Sequence, residues 1–277
     1  MTITVNKEFA TLAQLWGVPG IIEESVEPKV VLVTGATGQI GGACAKKLAQ
    51  EGYSLVLTGR NEKALREVQY QCELEQDFAG GETIGVAADL HEPKDIWSKI
   101  WLRPLYGLVH CAAVVGKGAV HLQSTDAWLD EFRMNIEIPY QLCRKVAGIL
   151  VEQGTGGRIV LLSSINAFYH NAGRTAYGAS KAAVDALVRQ LAVELGPHGI
   201  TCNTVRPGNC TLPMHNSPAT EEMLESIRRR TPLLKLATPK DVAYIVSFYL
   251  SEGAGHITGT HLICDGGFSI HAGEDLT

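Results

Sequence analysis

The stretch VVLVTGATGQIGG, residues 30–42, decides the fold. Val30 to Thr34 form a short run rich in valine, apolar on both faces, and a helix is expected over about 40–51. Gly35, Gly38 and Gly41 therefore fall at a strand-to-helix junction. There glycines allow a tight turn and let the backbone approach a pyrophosphate. That group would then lie against the helix N-terminus, with its unpaired amides and partial positive charge. Thr37, Gln39 and Ile40 complete the candidate phosphate-binding turn. A glycine-rich turn with no ligand fits the same letters, so the rest of the chain has to decide.

From Lys29 onward, runs of Val, Ile and Leu alternate with longer helical stretches, as in repeated βα units around a parallel sheet. Strands are expected at Val30–Thr34, Ser54–Thr58, Thr83–Ala88, Gly107–Cys111, Arg158–Leu162, Thr201–Val205 and His261–Cys264. Helices are expected at about 40–51, 61–77, 126–152, 175–195, 220–230 and 239–251. The fold class is α/β, a doubly wound parallel sheet with helices on both faces. Residues 1–28 carry Glu23, Glu24 and Glu27 and end at Pro28. They are expected to be an arm outside a single nucleotide-binding domain over 29–277, with Leu12, Leu15 and Trp16 hinting at a short docking helix.

The second strand runs into TGRN, residues 58–61. Gly59 occupies the place where an NAD-binding chain usually sets an acidic residue against the ribose hydroxyls, and Arg60 lies just beyond it. A guanidinium there can pair with a 2′-phosphate, which favours NADPH/NADP+ over NADH/NAD+. The other reading of Arg60 is a solvated arginine that begins a helix beside Asn61.

YGASK puts Tyr177 and Lys181 four apart on an expected helix, so they share a face. A phenol with an ordinary pKa near 10 is a poor acid or base at neutral pH, and a nearby ammonium is expected to draw it down. Tyr177 could then exchange a proton with a substrate oxygen. Ser164 stands at the end of RIVLLSS, where side chains of an open parallel sheet project into the ligand crevice and a hydroxyl can donate to a developing alkoxide. Asn135 lies inside a long expected helix, where asparagine has poor propensity and needs a special reason. Each of these residues alone is ordinary. In this order they form a constellation.

The chain resembles the short-chain dehydrogenase/reductase family over residues 29 to about 270, and its second half resembles 3-oxoacyl-thioester reductases and related ketoreductases. The matching positions are the TGATGQIG turn, Asp89 and Leu90 after the third strand, Asn135, Ser164, Tyr177, Lys181, Pro207 and Gly208 of RPG, and the closing TGTHLICDGGFS. The resemblance implies a Rossmann fold with about seven parallel strands and a tetrad of Asn135, Ser164, Tyr177 and Lys181. Tyr177 would be the acid or base, Lys181 would also hold the nicotinamide ribose, Ser164 would steady the substrate oxygen, and Asn135 would support a water relay behind the lysine. Asp89 would touch the adenine. The family commonly forms homodimers or homotetramers through its two long helices, here about 126–152 and 175–195.

Two departures stand out. The turn reads TGxxGxxG, the spacing of the family's longer members, so Gln39 stands where the shorter members usually have the middle glycine. Gly38 takes the place of the basic residue that some NADPH enzymes carry. At the end of the fourth strand HCAA, residues 110–113, replaces the usual NNAG. His110, Cys111, Ala112 and Ala113 thus remove two asparagine side chains and add a methyl near the expected cofactor path. His110 and Cys111 lack a third ligand or base, so no metal site or nucleophile is expected there.

With 277 residues, 45% hydrophobic and 19% charged, the composition suits one ordinary globular core. The net charge of -5 with dispersed Lys and Arg argues against nucleic-acid or anionic-membrane partners. Seven scattered cysteines without metal-ligand spacing suggest free thiols and a cytoplasmic protein. The expected partner is a small-molecule carbonyl compound. Residues Ile165 to Arg174 and Asn209 to Arg230 are expected to border its crevice, where Phe168, Tyr169, His170, Met214 and His215 suit a medium-sized or cyclic ketone, and the segment after RPG, before a short helix, is a candidate lid. Arg228 to Arg230 could meet an acidic group or simply end a solvated helix. Three readings stay open: an NADPH-dependent ketone reductase, an NAD-linked alcohol dehydrogenase in which Arg60 faces solvent, and a catalytically idle cofactor-binding scaffold.

Overall fold

The structure, a computed structural model, describes residues 29–100, 104–211, 220–271 and 275. The expected arm at 1–28, and Met214 and His215 of the expected crevice, lie outside the described residues. Seven strands form one parallel sheet: β1 (Val30–Thr34), β2 (Ser54–Gly59), β3 (Thr83–Ala87), β4 (Leu105–His110), β5 (Gly157–Leu162), β6 (Ile200–Pro207) and β7 (His261–Cys264). Their order is β3-β2-β1-β4-β5-β6-β7, and every pair is parallel. The order reverses between β1 and β4, so the loops leaving those strands diverge and open a crevice at their carboxyl ends.

The inner strands β1, β4 and β5 are largely apolar because both faces are covered, whereas β6 carries Thr201, Asn203, Thr204 and Arg206. Val31 and Val33 of β1 pack with Cys44 and Leu48 of α1 (Gln39–Gln50), Leu65 of α2 (Glu62–Ala79) and Val242 and Val246 of α8 (Pro239–Leu250). Val30 and Leu32, one residue out of phase, meet the opposite layer: Ile96 of α3 (Lys94–Ile100), Leu142 and Val146 of α5 (Ile138–Gln153), and Val184 and Val188 of α6 (Thr175–Leu195). Burying side chains such as Leu32 and Leu108, both 0% exposed, stabilises the fold by about 1.5–3 kcal/mol each.

The sequence reading differs from the structure in two elements. The helix expected over 126–152 is instead α4 (Thr125–Phe132), a π-helical turn at Arg133–Glu137, and α5. The wider turn accommodates one extra residue, and Asn135 is at its centre with its side chain fully buried. The short helix α3 was not expected at all. It spans seven residues, too few for a period to show, yet its Ile96 and Ile100 are sealed in the core.

Candidate active site

The crevice is built from the carboxyl ends of β1, β4, β5 and β6. After β1, Gly35 adopts a left-handed conformation (φ +67), and a Cβ there would meet the Ala112 amide nitrogen at 2.6 Å. A Cβ at Gly41 would overlap the Gly35 carbonyl oxygen, so the first turn of α1 rests directly on the glycine turn. Gly38 is the N-cap of α1 and offers no side chain to the first amides, and no acidic residue sits in that turn. By contrast, Asn61, Ser124 and Thr238 cap α2, α4 and α8. The start of α1 is thus left free of the chain's own acceptors, with Thr37 and Ile40 half-buried and Gly38 and Gln39 exposed beside it. Uncapped amides and a positive helix end fit a pyrophosphate.

A Cβ at Gly59 would come within 2.7 Å of the Thr37 side chain, so a larger residue there would require Thr37 to shift. Arg60 is exposed at the end of β2. The Asn61 side chain is already engaged, accepting from the Ala64 amide at 3.0 Å. Asp89 is exposed and accepts from the His91 amide at 3.0 Å, while Leu90 is buried. Cys111, Ala112 and Ala113 are half-buried where β4 leaves the sheet, and Pro207 and Gly208 lie at the end of β6. His110 has turned inward: it is 2% exposed, its Nδ1 lies 2.7 Å from Thr34 Oγ1, and its Nε2 has no partner among the described residues.

The buried stripe of α6 changes character along its length. Val184, Val188, Leu191 and Leu195 are apolar, but towards the crevice the same stripe presents Tyr177, Ser180, Lys181 and Asp185. The Ser164 hydroxyl faces the Tyr177 phenol and favours its ionised form, and it accepts from the Asn166 amide at 3.1 Å. Lys181 Nζ lies 5.8 Å from the Tyr177 ring centre and donates to the Leu162 carbonyl at 2.8 Å. Asn135 is committed structurally: Nδ2 donates to Val114 O at 2.8 Å and Ser180 Oγ at 3.1 Å, and Oδ1 accepts from Val114 N at 2.9 Å. Ser180 Oγ in turn donates to the Tyr177 carbonyl at 2.8 Å. The four residues singled out in the sequence are therefore joined through α6, and Asn135 ties α6 to the loop after β4.

The electrostatics correct one expectation. Tyr177 is pushed up to about 12, because burial outweighs the opposing Ser164 hydroxyl and the nearby Arg174 charge. Burial also draws Lys181 down to about 8, against the pull of Asp185, Cys111 and Glu131 towards the charged form. Without a further positive charge the phenol is an acid rather than a base at neutral pH. Three more charged residues line the site, and two of them, Glu131 and Asp185, escaped the sequence reading. Glu131 is 3% exposed and accepts from Gly116 N at 2.8 Å; Arg174 donates to Gly116 O at 3.0 Å; and Asp185 pairs with Arg206. Only Asp185 had a signal, since it follows Lys181 by one helical turn.

Phe168 is exposed, Tyr169 is half-buried with its ring edge-on to Phe268, and His170 is exposed. Arg228 is held by Glu221 and Glu225, and its neighbours Arg229 and Arg230 end α7 (Glu221–Arg229). Among the described residues no group of three His, Cys, Asp or Glu could hold a metal ion, and no helix is long and apolar enough to cross a membrane.

Residues 35–269 match the family described as enoyl-(acyl carrier protein) reductase. The chain belongs to the short-chain dehydrogenase/reductase family. Among curated relatives of this oxidoreductase, L-rhamnose 1-dehydrogenase (NAD(P)(+)) of Sphingomonas sp. (strain SKA58) is 32% identical over 252 residues, covering 89% of this chain and 98% of that one. The human (3R)-3-hydroxyacyl-CoA dehydrogenase is 31% identical, covering 89% and 97%. Among solved structures, acetoin dehydrogenase from Enterobacter cloacae superposes with a TM-score of 0.79 at 28% identity, over 89% of this chain and 98% of that one. This short-chain dehydrogenase/reductase is accordingly an NAD(P)-dependent oxidoreductase acting on CH–OH or carbonyl groups.

Proposed function

We propose that the protein reduces a ketone to a secondary alcohol with NADPH, with Tyr177 as the proton donor. The observation that carries the reading is the buried Ser164–Tyr177–Lys181 cluster at the mouth of the sheet, facing an uncapped α1. A nicotinamide held here would supply the hydride for the carbonyl carbon. Tyr177 holds the proton for the carbonyl oxygen, and its raised pKa keeps that proton in place at neutral pH. Ser164 orients the same oxygen. Lys181 supplies positive charge beside the phenol and holds the ribose, while Asn135 fixes the loop after β4 against α6. Gly35, Thr37, Gly38, Gln39, Ile40 and Gly41 receive the pyrophosphate, Arg60 the 2′-phosphate, and Asp89, Leu90, Cys111, Ala112, Ala113, Pro207 and Gly208 border the rest of the cofactor.

One NAD(P)-binding unit over 29–277 is supported by the family match from residue 35 to 269. Exposed Leu129 on α4, Tyr140 on α5 and Val193 on α6 support assembly as a dimer or tetramer through those helices. Seven free cysteines support a reducing, cytoplasmic setting. The NAD-linked alcohol dehydrogenase is the second reading, because Arg60 is exposed and the rhamnose dehydrogenase relative is named for both cofactors. Fluorescence titration with NADPH and NADH, on the wild type and on Arg60→Ala, separates the two. NADPH preference lost in the variant supports the reductase, and equal or stronger NADH binding overturns the NADPH assignment.

A further inference from the structure

Behind Lys181 lies a charge cluster that the reaction scheme does not use. Asp185 follows Lys181 by one turn of α6 and is 2% exposed. Its Oδ2 accepts from Arg206 Nε at 2.9 Å and Nη2 at 2.7 Å, and its Oδ1 accepts from Thr204 Oγ1 at 3.1 Å. Thr204 Oγ1 also meets His261 Nδ1 at 2.8 Å, and Arg189 Nη1 lies 2.6 Å from His261 Nε2. The Arg206 guanidinium sits 5.1 Å from the Phe168 ring centre, in the segment that follows Ser164. Arg206 itself immediately precedes Pro207 and Gly208. One guanidinium therefore joins α6, the Ser164 loop and the end of β6.

We propose that Asp185, held in place by Arg206, is a positioning residue that keeps Lys181 charged beside the reaction centre. Burial works against the ammonium, and Asp185 is the largest of the groups favouring it. The other groups facing Lys181 are Cys111 and His110 from the end of β4, Glu131 from α4 and Tyr177 on α6 itself. Of these, Glu131 has its own backbone partner and His110 is neutral. Asp185 is itself faced by Arg206 of β6 and, at 3.6 Å, by His261 of β7. Two hydrogen bonds from Arg206, both to Oδ2, and one from Thr204 to Oδ1 fix the carboxylate, whose negative charge stays one helical turn from the lysine. The rigid fork of Arg206 makes this geometry specific in a way that a lysine there would not.

The inference rests on the proposed role of Lys181, so its test reads the lysine without turnover. In the cofactor-free protein labelled with 13C-lysine, the Lys181 resonance, assigned by its loss in Lys181→Arg, is followed against pH by NMR. Asp185→Asn is expected to lower the titration midpoint by about one pH unit, the size of shift that a nearby opposite charge can produce. Asp185→Glu is expected to keep most of it. Asp185→Asn also strands the Arg206 charge, so Asp185→Asn/Arg206→Met is the control for folding. That double variant is expected to regain thermal stability while its Lys181 midpoint stays low. A midpoint unchanged in Asp185→Asn, or restored in the double variant, would overturn the proposal. In active preparations the basic limb of the kcat/KM profile for reduction should move to lower pH with the midpoint. A wild type with no turnover on any carbonyl compound would count against the reductase reading alone, since the NMR result stands apart from it.

Discussion

His110 stays neutral in the folded chain at a cost that depends on pH. Burial drives its pKa from 6.5 down to about 3, with the Lys181 charge adding to the shift. The unfolded chain takes up a proton below about pH 6.5 while the folded chain does not until about pH 3, so stability falls as pH drops through that window. Between pH 8 and 5.5 the loss amounts to about 1.4 kcal/mol. His110→Asn should lack this increment, and urea unfolding of both proteins at the two pH values checks it; equal pH responses would contradict the assignment. At this scale the sequence showed Tyr177, Lys181, Ser164 and Asn135 because their spacing and order are informative in themselves. It concealed Glu131 and Asp185, because a carboxylate on an amphipathic helix is ordinarily solvated, and only packing reveals which ones face inward.

Among the elements, α1 and α5 give opposite expectations for one substitution. Gly41→Ala drives a methyl into the Gly35 carbonyl and pries α1 off the turn, so cofactor affinity and thermal stability should both fall. Gly148→Ala in α5 meets nothing within 4 Å and removes a helix-weakening glycine, so it should stabilise by about 0.5–1 kcal/mol. Thermal unfolding of the pair, with an NADPH titration, distinguishes a glycine needed for close approach from one that is merely present. Strand positions were legible because covered parallel strands are continuous apolar runs, as β1 is, and the half-exposed edge strand β7 also coincides with its expected span. The π turn was not, since a phase shift of one residue is smaller than the precision with which a periodic pattern places its elements. The buried Asn135 was the one local sign of it.

At the scale of the molecule, strand order cannot be read from strand positions, because the pairing of β1 with β4 is fixed by tertiary packing. The resemblance implied a Rossmann fold of about seven parallel strands but no strand order, and the structure bears the fold out and adds the order, with a switch point between β1 and β4. That topology brings the carboxyl ends of four strands together and sets Tyr177 against Ser164 while the uncapped α1 faces the same opening. The central claim is that Tyr177 delivers the proton in an NADPH-dependent reduction. The most direct test follows oxidation of NADPH with a ketone substrate in the wild type and Tyr177→Phe, with cofactor affinity measured in both. The account predicts turnover in the wild type, a fall of about 10²–10⁴-fold in kcat for the variant, and unchanged NADPH binding. Full turnover in Tyr177→Phe would contradict it.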